Sequence, residues 1–201
     1  MEPASIVLII VILILSVVIH EVAHGYAALW LGDKTAQYAG RLTLNPIKHL
    51  DLFGSIIIPL LLSFSGFIFG WAKPVPYNPY NLRNRRWGEL IVAIAGPASN
   101  ILLALIFGLI IRFIGFDSNL IFVAAMIVQV NLVLAIFNLV PVPPLDGSKI
   151  LFALLPPSQQ HIRTFLERWG MVLVIIFIFF LWGFISPVVG FLFKLFTGIA
   201  F

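Results

Sequence analysis

Cysteine is absent from this 201-residue sequence. That excludes disulfides, thiolate-held zinc and cysteine nucleophiles, so any bound zinc must be held by His, Asp or Glu. Charge is scarce as well: Asp, Glu, Lys and Arg supply 10% of residues, against 61% hydrophobic. A mean hydropathy of +1.10 with long uncharged runs excludes an ordinary soluble domain and indicates an all-α polytopic membrane protein. The +4 net charge comes without a long basic stripe, which argues against nucleic acid as a partner and makes the charge a topology signal. Internal repeats, low-complexity linkers and any polar stretch long enough for an accessory domain are missing too. Residues 1–201 are therefore expected to form a single integral membrane domain. Met1-Glu2-Pro3 lacks the basic region of a cleavable signal peptide, so the first apolar run is expected to be retained.

The apolar runs cover approximately 4–31, 52–70, 89–111, 119–142 and 169–201. They predict about five to six membrane segments. Ser186-Pro187 interrupts the last, which is expected to be a span followed by a second short helix. Basic residues cluster in 32–51 (Lys34, Arg41, Lys48), 71–88 (Lys73, Arg83, Arg85, Arg86) and 143–168 (Lys149, Arg163, Arg168). The turn at 112–118 holds only Arg112, with Asp117. The positive-inside rule puts the three basic stretches in the cytoplasm and the N-terminus outside. With 32–51 and 71–88 on one side, 52–70 cannot cross once. Its Gly54, Pro59 and Gly66 suit a re-entrant hairpin, and the alternative is a plain span that breaks the charge rule. Gln37–Leu44 alternates weakly, predicting a short strand or two. The prolines of 73–82 predict extended chain, suited either to pairing with an unwound substrate or to a simple cytoplasmic turn.

One cluster of ionisable residues lies inside an apolar run. His20-Glu21-Val22-Ala23-His24 is H-E-x-x-H, which on a helix puts two imidazoles one turn apart on one face. The adjacent glutamate can take a proton from a metal-activated water. His20 lies about 24 Å along the helix from Ala4, within a hydrocarbon core of about 30 Å. Charged groups at that depth are expensive and mark function.

A catalytic zinc site usually needs a third protein ligand. Candidates are His49, Asp51, Glu89, Asp117, Asp146, His161 and Glu167. Asp146 closes an apolar run in Pro141-Val142-Pro143-Pro144-Leu145-Asp146-Gly147, where the prolines stop the helix and the carboxylate can point inward. Its competing role is the cap of a short helix, Ser148–Leu155. His49 with Asp51 reads either as a pair orienting a ligand imidazole or as part of the cytoplasmic rim. Asn100 and Asn131 read as interhelical contacts.

HEVAH in a first membrane helix, NLVPVPPLDG in a later one, Gly96-Pro97-Ala98-Ser99-Asn100 between them, and Asn45-Pro46 with GWAKPVPYNP together resemble the site-2 protease family of intramembrane zinc metalloproteases. The likeness covers most of 15–150 and is closest to the compact prokaryotic branch without a PDZ domain. It implies one zinc held by His20, His24 and Asp146, with Glu21 as general acid/base. It also implies Asn138, eight residues before the ligand Asp, as a substrate or oxyanion contact. The expected function is an endopeptidase cutting within or near transmembrane segments of membrane-protein substrates, in regulated intramembrane proteolysis. The expected setting is the cell membrane, with the active site toward the cytoplasm. A metal-ion carrier or sensor using the same His/His/Asp set is the alternative, weakened by the missing inverted repeat. A non-catalytic membrane scaffold is the third reading, and the intact H-E-x-x-H argues against it.

Overall fold

The computed structural model describes residues 3–51, 73–114 and 118–199. Among these residues six α-helices are found: α1 (Pro3–Trp30), α2 (Thr35–Tyr38), α3 (Arg85–Phe113), α4 (Ser118–Asn138), α5 (Asp146–Leu154) and α6 (Gln160–Thr197). α1 is almost wholly aliphatic up to His20, and a helix satisfies its backbone where no water reaches. It ends where Gly32 takes a positive φ of 109° and reverses the chain. α3 begins under Asn84, whose side chain accepts the Trp87 N–H at 3.2 Å. α6 stops at Gly198, left-handed at φ 77°, whose N–H closes onto the Lys194 carbonyl.

Ser5–Trp30, Arg85–Phe113 and Asn119–Asn138 are each long and apolar enough to cross a membrane. α3 is the hub, packing against α1, α4, α5 and α6. Its buried face carries Ala93, Gly96, Asn100, Ala104 and Gly108, small residues that let neighbouring backbones come close. A side chain on Gly108 would lie 2.7 Å from the Phe196 Cβ. The largest apolar core joins α3, α4 and α6 through Ala104, Ile111, Val128, Leu132, Ile185 and Phe193. Outward faces carry exposed Ile6, Val7, Leu102, Phe122 and Phe191, as expected of lipid-facing helices.

Four expectations change. Gln37–Leu44 forms no strand: α2 occupies Thr35–Tyr38 and the chain to Asn45 is turn and irregular. An alternating pattern needs a partner strand to bond to, and none lies among the described residues. The stretch 73–82, expected to be extended throughout, is irregular over 73–78 and turns into a 3-10 helix at Pro79–Asn81. The last apolar stretch is one continuous helix through Pro187, not a span plus a second helix. Pro187 removes one N–H and crowds the carbonyl four residues back. That carbonyl belongs to Gly183. The short helix after the Pro-rich turn starts at Asp146 rather than Ser148. The expectation for 52–70 lies outside the described residues. Its flanks are joined, however, because the Lys73 N–H donates to the His49 carbonyl at 2.9 Å.

Candidate metal centre

α1 presents His20 and His24 on the face it packs against α3. α5 brings Asp146 to the same point. Two local features deliver it. The chain turns sharply after α4, and Gly147 packs backbone to backbone, since a Cβ there would collide with the Leu139 carbonyl. At the far end of α5, the Arg86 guanidinium donates to the carbonyls of Ala153 and Leu154, tying the helix C-terminus to the start of α3.

The three side chains meet at nearly equal spacing. His20 Nε2 lies 3.1 Å from Asp146 Oδ2, His24 Nε2 lies 3.0 Å from the same oxygen, and the two Nε2 atoms are 3.0 Å apart. All three residues are buried. Among the described residues this is the group of His, Asp and Glu able to hold a metal ion. His24 Nδ1–H donates to the Val92 carbonyl at 2.6 Å, which puts the lone pair of the neutral ring on Nε2. That lone pair then faces a carboxylate oxygen and a second imidazole, an arrangement that repels unless a cation lies between. Ligands about 2.0–2.2 Å from a tetrahedral zinc stand roughly 3.3–3.5 Å apart. A slight spreading of the trio admits the ion.

Surrounding groups hold the trio in place. Gly96 leaves room for both rings, because a Cβ there would lie 2.6 Å from His20 Cε1 and closer still to the His24 ring. Lys149 Nζ sits 3.4 Å from Asp146 Oδ1, leaving Oδ2 toward the imidazoles. The Lys149 ammonium also lies 5.5 Å from the centre of the Tyr77 ring. Burial pushes the Tyr77 hydroxyl above its ordinary pKa, so it stays protonated.

Glu21, beside His20, accepts the Val75 N–H at Oε2, 2.8 Å away. Val75 belongs to the strap 73–78, which has no helix or strand and is fastened from both ends. Arg41 donates to the Lys73 and Pro74 carbonyls at 2.7 and 3.3 Å. Asp33 accepts the Asn78 N–H at 2.7 Å and the Asn81 amide at 2.8 Å. Burial would raise the Asp33 pKa, but hydrogen bonds from Thr35, Asn81 and Asn78 prevail and hold it below the usual carboxylate range.

The structure does not bring every candidate to the trio. Asn138, the last residue of α4, donates to the Leu134 carbonyl one turn back, at 3.0 Å. It makes no hydrogen bond to His20, Glu21, His24 or Asp146. His49 is buried but donates to Thr43 O at 2.8 Å, within its own loop, so it orients no ligand imidazole. Glu89 pairs with Arg85 and Glu167 with Arg163; His161 is exposed. Asp117 lies outside the described residues. Asn131 donates to Ser16 Oγ at 2.9 Å, the interhelical contact expected of it. Asp33, Lys149 and the Val92 carbonyl were missed. Lys149 was detectable as the cation one turn beyond Asp146; a backbone carbonyl leaves no trace in sequence.

The model of peptidase family M50 matches residues 8–118 and 114–181. The chain belongs to that family. The M50 chain is 40% identical over 205 residues to the Bacillus subtilis (strain 168) protein named "Putative zinc metalloprotease YwhC", covering 94% of this chain and 91% of that one. It is 29% identical over 165 residues to "Putative zinc metalloprotease Rip2" of Mycolicibacterium smegmatis, covering 81% of this chain and 63% of that longer protein. With "Zinc metalloprotease MJ0392" of Methanocaldococcus jannaschii the identity is 25% over 154 residues, 77% of this chain and 36% of that protein. No solved structure matches the chain. This M50 protein is a membrane zinc metalloprotease, as the resemblance to the site-2 proteases implied.

Proposed function

We propose that this protease works inside the bilayer, cutting peptide bonds within or near transmembrane segments of membrane-protein substrates, with the site toward the cytoplasm. The observation that carries this reading is the placement of His20 and His24 within an apolar helix long enough to span, facing Asp146 from a second element. His20, His24 and Asp146 are the zinc ligands on this reading, and Glu21 is the general acid/base. Placement of the site toward the cytoplasm is supported by the grouping of the basic stretches 32–51 and 73–86 at one end of α1. Those stretches are hydrogen-bonded together, as in Arg41 to the Lys73 carbonyl at 2.7 Å.

Bound zinc supplies Lewis acidity, acidifying a water molecule and polarising a carbonyl. Glu21 takes the proton of the attacking water and returns it to the leaving amine. Val75 N–H holds one carboxylate oxygen of Glu21, fixing the direction of the other. A helical substrate hides its carbonyls in i to i−4 bonds, so it must unwind before it can be cut. The strap 73–78 contributes the groups for holding an unwound segment: its backbone is in no helix and is already fastened to α1 through Glu21. Asn138, one turn from the Pro-rich loop that delivers Asp146, reaches substrate on this proposal by releasing its bond to Leu134.

Glu21→Gln is the test. It should retain zinc at the wild-type level and lose cleavage of a transmembrane substrate by at least about 10²-fold. Cleavage near the wild-type rate would remove Glu21 from the role.

A further inference from the structure

We propose that Asn100 is a positioning residue for His20: its side-chain carbonyl accepts the His20 Nδ1–H and thereby turns the Nε2 lone pair toward the metal. The inference rests on reading His20, His24 and Asp146 as the zinc site. Asn100 lies on α3 one turn past Gly96, is fully buried, and is placed with its amide nitrogen Nδ2 3.2 Å from His20 Nδ1 and its oxygen Oδ1 facing away. The far polar atom of that amide has no hydrogen-bond partner. The imidazole alone therefore decides which way the amide faces, because its two ends are interchangeable by a half-turn about the last side-chain bond.

Two arrangements are open to the pair. If the amide NH2 donates to His20 Nδ1, the neutral ring carries its proton on Nε2, pointing at Asp146 Oδ2 3.1 Å away. That tautomer cannot ligate a metal. If the amide oxygen accepts, Nδ1 carries the proton and Nε2 is free to ligate. The neighbouring ring already follows the second rule, with its Nδ1–H held by the Val92 carbonyl. Both acceptors come from α3, in antiparallel order: Val92 for His24 and Asn100 for His20. The helix that makes room for the rings through Gly96 thus also sets their tautomers.

The test uses zinc affinity of the full chain in detergent, read by competition with a chromophoric chelator, and the visible spectrum of the cobalt-loaded protein. Asn100→Leu removes the acceptor and should lower zinc affinity by about 10–100-fold and disturb the cobalt spectrum. Asn100→Asp keeps an acceptor in the same place and should bind zinc within about threefold of wild type, with an unchanged spectrum. Wild-type affinity in Asn100→Leu would overturn the proposal. So would a loss in Asn100→Asp as large as that in Asn100→Leu, since it would mean the amide acts as a donor. Should Asn100→Leu fail to fold, Asn100→Asp decides alone by the same criterion. A His24→Ala control separates the two layers of the argument: if it binds zinc as wild type does, the zinc-site reading itself fails.

Discussion

At the residue scale the site depends on small groups as much as on its ligands. His20 and His24 lie against α3 only because Gly96 has no side chain; a methyl there would overlap both rings. Gly96→Ala is therefore expected to keep the helical fold but displace the imidazoles, lowering zinc content in the purified protein. Circular dichroism with metal analysis checks this, and full zinc occupancy in the variant would count against the packing argument. The meeting of His20, His24 and Asp146 was legible in part: H-E-x-x-H has few other uses in an apolar segment, whereas Asp146 was one of several candidates until the resemblance singled it out. Gly96 was visible only as part of a motif, and its reason is steric. The Val92 carbonyl was not legible at all, since a backbone acceptor looks the same under every residue name. Asn138 shows the reverse case: a motif position whose amide is occupied within its own helix.

At the scale of elements, the strap 73–78 is the least regular segment and the most heavily fastened. Asp33 holds it through charge-assisted hydrogen bonds, which contribute about 1.5–3 kcal/mol each when one partner is ionised. Because the folded-state pKa of Asp33 is depressed, its contribution is fully present above the unfolded value of about 4. The contribution is lost as pH falls through the folded value. Asp33→Asn should thus melt several degrees below wild type at pH 7, and the gap should narrow below about pH 4. A gap independent of pH would mean that the carboxylate charge does not fasten the strap. The strap's lack of α-helix was legible from its prolines, while the 3-10 turn at Pro79–Asn81 was not, since proline suits the first position of such a turn. The misplaced strand at 37–44 came from alternation read without a partner. The unbroken α6 was not legible, because a proline costs a helix one hydrogen bond and some crowding without having to end it.

At the scale of the whole molecule, α3 is the organising element. It contacts every other long helix, supplies the cavity for the two imidazoles, and anchors α5 through Arg86. The fold class was legible because apolar runs of spanning length admit few structures in a bilayer. The packing order around α3 was not legible, since lipid-facing and helix-facing apolar residues have similar composition. Its small-residue face (Ala93, Gly96, Ala104, Gly108) carried the signal that was there to find. The whole arrangement leads to one claim: peptide hydrolysis by a zinc centre built between membrane helices. The most direct measurement places the purified protein in liposomes with a transmembrane substrate, removes metal with a chelator, restores zinc, and maps the cut by mass spectrometry. The expected result is cleavage abolished by the chelator, recovered with zinc, and located within or next to the substrate's membrane segment. Cleavage that persists without metal, or that falls only in loops far from the bilayer, would contradict the account.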